Sequence, residues 1–277
     1  MRPIIATVTL LALIAGSHPV VAATIQAAAE GTVYGITQRD VPPPARSGEI
    51  AAAVRFTNGG GVILEDSCRA LAGQTEDGVS AALAECFNEF FSKNDNTLEA
   101  RTSWDSVVVN NSTRPLHYVY QFRIKGIELA LRDLGMLTDL TPFAPCAEYG
   151  VEIRLDGNLL FESHGLLIGG AGGHVLQETG TDLGGSLFTQ GPLFGYQFPI
   201  FDGALSLGSL QPGEDFQVTT SLVARMRTRL PLTGAAAAIG DPLDMKGDPG
   251  IDSEIVPDDV VGVENSTFGR VKALFRD

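Results

Sequence analysis

WDSVVVN (104–110), NSTRP (111–115) and LHYVYQFRIKGI (116–127) together decide the fold class. In the third piece Tyr118, Tyr120, Phe122 and Ile124 alternate with Val119, Gln121, Arg123 and Lys125. A two-residue period puts the aromatics on one face and mostly polar groups on the other, as in a strand with one side buried. The intervening Asn, Ser, Thr, Arg and Pro break both periods, so the stretch reads as two strands of an antiparallel hairpin.

The same grammar recurs outward in both directions. Thr32–Gln38 and Glu49–Phe56 read as strands separated by Pro42-Pro43-Pro44. Tyr149, Val151, Ile153 and Leu155 alternate up to Asp156-Gly157, a dipeptide suited to a two-residue turn, and Leu159–Ser163 returns. His174–Thr179, Leu193–Phe198, Phe201–Leu207, the alternating Phe216–Ala224 and Ala235–Gly240 complete about ten short strands with turn-rich links. The fold class is therefore all-β, an antiparallel β-sandwich of jelly-roll-like type.

Two segments depart from that pattern. Val79, Leu83, Cys86, Phe87, Phe90 and Phe91 fall on one helical face behind Thr75, Glu76 and Asp77, which predicts one short helical insert. Another strand pair is the competing reading, because Ala-rich segments are ambiguous. From Asp241 the chain strings acids among Pro and Gly, and residues 248–277 read as an acidic, flexible C-terminal extension. Phe268, Val271, Leu274 and Phe275 recover helical spacing near its end.

The N-terminus points to export. Met1-Arg2, an apolar run from Ile4 to Ala15, Gly16 and Pro19, and small residues to Ala23 follow the order of a secretory signal, with cleavage after Ala22 or Ala23. The domain division expected is a signal peptide at 1–23, a β-sandwich domain at 24–247 and the extension. The apolar run is too short to cross a bilayer and no later run approaches that length, so no membrane span is expected. A net charge of −14 without a basic stripe disfavours nucleic acid and anionic lipid. Aromatics at 7% leave little for the two girdles of an outer-membrane barrel.

In an oxidising compartment the three cysteines allow three bridges. Cys68–Cys86 is favoured over either pairing with Cys146, since the short separation makes encounter frequent.

No catalytic signature accompanies these strands. There is no G-x-S-x-G elbow, and the adjacency of Ser163 and His164 does not place one as base for the other. His117 and His174 read as strand residues. No histidine pair or C-x-x-C marks zinc or copper, and the acids from Asp241 to Asp259 lack EF-hand spacing. No cofactor is expected, calcium being the one candidate ion. The glycines at 165, 169, 170, 172 and 173 precede no Lys-Ser or Lys-Thr and read as a strand connection rather than a phosphate cradle. Trp104, Tyr118 and Tyr120 are the aromatics available to stack on a sugar, although the tyrosines share a face with Phe122 and Ile124, as a core does.

Four stretches carry a family resemblance: Ser103–Leu131, YGVEIRLDGNLLFES (149–163), LGSLQPGEDFQVTTSLVA (207–224) and GDPL (240–243). Their order resembles exported Gram-negative bacterial β-sandwich proteins of the PEP-CTERM-associated type. The chain lacks that group's Pro-Glu-Pro, apolar C-terminal helix and terminal Arg cluster, so its sorting and anchoring function does not carry over. The resemblance implies an extracellular, non-enzymatic sandwich and supplies no catalytic residues. The leading expectation is an exported, non-catalytic protein in the periplasm or outside the cell. It would act by binding, or as a structural or adhesive component of envelope or matrix, with a surface glycan or another envelope protein as partner. A secreted polysaccharide hydrolase and a calcium-stabilised carbohydrate-binding module are the alternatives.

Overall fold

A computed structural model of the chain describes residues 20–33, 35–56, 68–87, 96–132, 144–170, 173–228 and 233–258. Two antiparallel sheets face each other. The first has seven strands in the order β11 (Gly173–Gly180), β10 (Asn158–Gly170), β9 (Cys146–Leu155), β15 (Asp215–Thr228), β6 (Asn96–Val109), β1 (Val20–Val33) and β2 (Ile36–Asp40). The second runs β12 (Ser186–Gln190), β13 (Leu193–Gln197), β8 (Ile127–Arg132), β16 (Gly234–Ile239), β5 (Ser80–Phe87), β17 (Ile251–Asp258), β7 (Leu116–Ile124) and β14 (Phe201–Leu210). It is extended by β4 (Cys68–Thr75), which pairs with β5, and by β3 (Glu49–Phe56), which pairs with β4.

Much of the second sheet consists of interrupted ribbons. Along the line from β8 to β7, β13 pairs up to Gln197↔Glu128 and β14 resumes at Phe201↔Ile124. On the other side β16 pairs up to Ile239↔Ile127 and β17 resumes at Ile251↔Ile124. The break falls at Lys125-Gly126 in every ribbon. Residues 240–250 loop out there and fold back on the sheet's outer surface, where Met245 is buried against Gly73. A Cβ at Gly73 would stand 2.5 Å from the Met245 sulfur, so a larger residue would require the Met245 side chain to move.

Alternation sets the sandwich. Tyr118, Tyr120 and Phe122 point inward, as do Tyr149, Val151 and Ile153 on β9 and Phe216, Val218 and Leu222 on β15. The Tyr120 hydroxyl bonds the Thr220 hydroxyl at 2.5 Å and so joins the sheets through the core. Asp156 and Gly157 both adopt left-handed backbone, φ 49° and 80°, which gives the two-residue β9–β10 turn that Asp-Gly favours.

Several expectations need correcting. The stretch 104–127 holds the two strands expected, yet they do not pair with each other: β6 lies in the first sheet and β7 in the second. The link at 110–115 crosses the end of the sandwich, where the Asn110 amide donates to the carbonyls of Arg114 and Leu210. Alternation fixes a strand's face but not its neighbour. Thr32–Gln38 is the tip of the β1–β2 hairpin rather than one strand. Gly165 and Gly169 lie within β10 rather than in a connection.

The helical insert is absent over its described residues, since Ser80–Phe87 is strand β5. Ala82, Ala84 and Cys86 face the core, while pairing with β4 and β16 satisfies the backbone on both sides. Asp77-Gly78 supplies the hairpin turn, Gly78 having φ 88°. Phe90 and Phe91 lie outside the described residues. So do residues 1–19 of the expected signal and the helical spacing at 268–275. Of the extension expected from 248, Ile251–Asp258 is strand β17, with Ile251 and Ser253 buried between exposed Asp252 and Glu254. Cleavage after Ala22 or Ala23 would fall within β1 and leave its pairing with β6 from Thr24↔Asp105 to Thr32↔Thr97.

Candidate functional site

The outer face of the seven-stranded sheet carries an organised network of charged side chains. Because β9 turns Ala147, Tyr149, Val151 and Ile153 inward, it must turn Glu148, Gly150, Glu152 and Arg154 outward. Its neighbours do the same, and the registers align the outward residues in rows across the strands. One row reads Glu30, Glu99, Arg225 and Glu148. The next is Ala28, Arg101, Val223, Gly150 and His164, and the next Gln26, Ser103, Ser221, Glu152 and Glu162.

Opposite charges stand side by side in the first row. Arg225 bonds Glu99 on one flank and Glu148 on the other, the latter at 2.6 Å, and Arg101 also bonds Glu99. His164 Nε2 lies 3.1 Å from Glu148 Oε1. Burial works to raise the Glu99 carboxyl, but hydrogen bonds from Arg101 and Arg225 outweigh it and hold the group below its ordinary value. Burial would lower the Arg225 guanidinium, and its bonds to Glu99 and Glu148 raise it instead. Each half of this network therefore stays charged because of the other. Arg154 grips Glu152 through Nε at 2.9 Å and Nη2 at 2.7 Å.

Beside the network the surface sinks into a groove of about 480 Å³. Its lining combines the small residues Ala28, Ser103, Gly150 and Ser221 with Val223, Arg101 and Glu148 between them. A Cβ added at Gly150 would make ordinary contact with Val223 and His164, so nothing forbids a side chain there sterically. On the β1 side, Val41, Pro42 and Pro44 rise as an apolar wall, held by the paired backbone bonds between Ile25 and Ala45 at 2.8 and 3.0 Å. The volume is that of an ordinary small-ligand site.

No protein-family model matches the chain, and no curated protein matches it.

The residues singled out from sequence fall in different places. Cys68 and Cys86 form a disulfide between directly opposed residues of β4 and β5. Cys146 is a free thiol that burial pushes up, against the lowering effect of Arg227. Ser163 and His164 point to opposite faces: the Ser163 hydroxyl is buried and bonded to the Tyr149 hydroxyl at 3.0 Å, while His164 lines the groove. They form no dyad. His117 bonds the Ser206 and Ser209 hydroxyls, and His174 stacks on Phe194 at 3.9 Å between centroids. Trp104, Tyr118 and Tyr120 are buried, so they form no sugar-stacking platform, and the Trp104 indole donates to the Glu76 carbonyl at 3.2 Å. Among the described residues no three His, Cys, Asp or Glu side chains are grouped to hold a metal ion.

Sequence reasoning missed Glu148, Glu152, Glu162, Arg101 and Arg225 as a set. The alternation of 147–155 already placed Glu148 and Glu152 on one outward face. Their juxtaposition with β15 and β6 depends on pairings between strands far apart in the chain.

Proposed function

We propose that this chain is an exported, non-catalytic β-sandwich that binds glycan in the groove on the outer face of its seven-stranded sheet. The observation that carries this reading is the groove itself, with small residues in its lining and hydrogen-bonding side chains in register across β1, β6, β15, β9 and β10. A saccharide presents many hydroxyls that both donate and accept, and a fixed array of hydroxyl, amide, carboxylate and imidazole groups answers them. The paired arginines and glutamates around the groove are held in place before a ligand arrives, which lowers the ordering cost of any contact they make. The prolines of the wall offer apolar surface to the C–H face of a sugar. The export signal, the periplasmic or extracellular location and the likeness to PEP-CTERM-associated sandwiches belong to the same proposal.

Titration calorimetry with a panel of neutral, amino and acidic oligosaccharides tests it. Saturable binding that is lost when Gly150→Phe fills the groove is expected. A panel in which no saccharide binds overturns the reading.

A second reading has its own support: Glu148, Glu152 and Glu162 share one groove on adjacent strands, and paired carboxylates are what glycoside hydrolysis needs. Release of reducing ends from a bound oligosaccharide, abolished by Glu152→Gln or Glu162→Gln, would favour the hydrolase over the binding module.

A further inference from the structure

Charge pairing within the groove is uneven. Three arginines on this face are each matched to a glutamate: Arg101 to Glu99, Arg225 to Glu99 and Glu148, and Arg154 to Glu152. Glu162 stands directly opposite Glu152, an arrangement of like charges that costs a sheet stability. Unlike Glu152, the Glu162 carboxylate has no hydrogen-bond or ion-pair partner among the described residues. Nor do the side chains of Gln26, Ser103 and Ser221, which share its row. The groups left for a ligand are thus two hydroxyls, one amide, the second nitrogen of His164 and one surplus carboxylate. Each of the three arginines already has a glutamate partner, Arg101 through its Nε alone.

We infer that the groove selects a saccharide bearing a protonated amine, seated on Glu162 with its hydroxyls on Gln26, Ser103 and Ser221, over neutral and uronic-acid saccharides. This rests on the reading of the groove as a glycan site. An acidic sugar would have to compete with Glu99 and Glu148 for the arginines and would meet Glu162 unscreened. An amine instead relieves the opposition of Glu152 and Glu162, and the overall charge of −14 favours its approach.

The test is calorimetric titration of the full mature chain with glucosamine oligomers, N-acetylglucosamine oligomers of equal length, oligogalacturonate and oligolysine, under conditions that protonate the sugar amine. The glucosamine oligomer is expected to bind about fivefold more tightly than its acetylated counterpart, the upper end for one partly exposed charge pair. Glu162→Gln should remove that difference, while Glu76→Gln, outside the groove, should leave both affinities unchanged. Thermal melts of both variants report that they fold. Equal affinity for the two oligomers, or a preference that survives Glu162→Gln, overturns the inference while leaving the glycan reading in place. Tightest binding of oligogalacturonate overturns it as well. Binding of oligolysine without any saccharide overturns both.

Discussion

The two halves of the core are built from different materials. Under β7, β14, β9, β10 and β15 the interior is aromatic: Phe122 contacts the rings of Tyr120, Phe161 and Phe201, Tyr118 meets Phe216 edge-on at 5.5 Å, and Tyr149 meets Phe198 at 4.9 Å. Under β4, β5 and β16 it is mostly alanine: Ala70, Ala72, Ala82, Ala84, Ala235 and Ala237, with Ala27, Ala29 and Ala100 on the facing β1 and β6, while β3 adds Ile50, Ala52, Val54 and Phe56. An aromatic ring removes about 150–250 Å² from water, several times what a methyl group removes. The aromatic half is therefore held by buried area. The alanine half has less area to gain from and depends more on its backbone ladders and on the Cys68–Cys86 cross-link, which lies within it.

The largest expected effect lies in the aromatic half. Phe122→Ala would remove a ring packed against three others and open a cavity, destabilising the protein by about 3–5 kcal/mol in a urea denaturation series. A loss below about 1 kcal/mol would mean that this cluster collapses around the gap and that the contrast between the halves is overstated.

Next comes the cross-link. Its cysteines are 18 residues apart, and the chain-entropy model gives about 3 kcal/mol for a loop of that length. Cys68→Ala with Cys86→Ala should lower stability by that order, and amide exchange should quicken in β4 and β5 before it does in β7 and β9. Uniform acceleration across both halves would show that the alanine half does not need its tether.

The same contrast explains what was legible in the sequence. Where inward residues are Tyr, Phe and Ile and outward ones Gln, Arg and Glu, the period of two is visible, and β7, β9 and β15 could be read with their faces. In β5 both faces carry Ala, so the alternation is flat, and the spacing of Leu83, Cys86 and Phe87 supplied a false helical stripe. Alanine's helix propensity reinforced it, and pairing on both sides overrode that propensity. The Asp77-Gly78 turn was the available counter-signal. The disulfide could be read from separation alone. Pairing partners could not: β6 and β7 are neighbours in sequence but lie in opposite sheets, whereas β17 inserts beside β7 from more than a hundred residues away. The groove inherits that difficulty, since its rows exist only once β1, β6, β15, β9 and β10 are in register.

Alkaline pH gives the smallest and most selective test of the contrast, because the described interior of the alanine half holds no ionisable side chain apart from the bridged cysteines. In the aromatic half, burial raises the Tyr120 phenol to about 12, against the lowering effect of its bonds to Ser253 and Thr220. Burial also raises Tyr149 to about 12. A phenol whose folded value exceeds its unfolded one contributes stability in full below the unfolded value near 10 and loses it as pH climbs towards 12. For Tyr120 that loss is on the order of 2 kcal/mol. Tyr120→Phe should cost about 1 kcal/mol at neutral pH, through the Thr220 bond, and should flatten the alkaline fall seen in denaturation midpoints. An alkaline limb of unchanged steepness in Tyr120→Phe would place the titrating group elsewhere. It would also separate the aromatic half's stability from the protonation of this phenol.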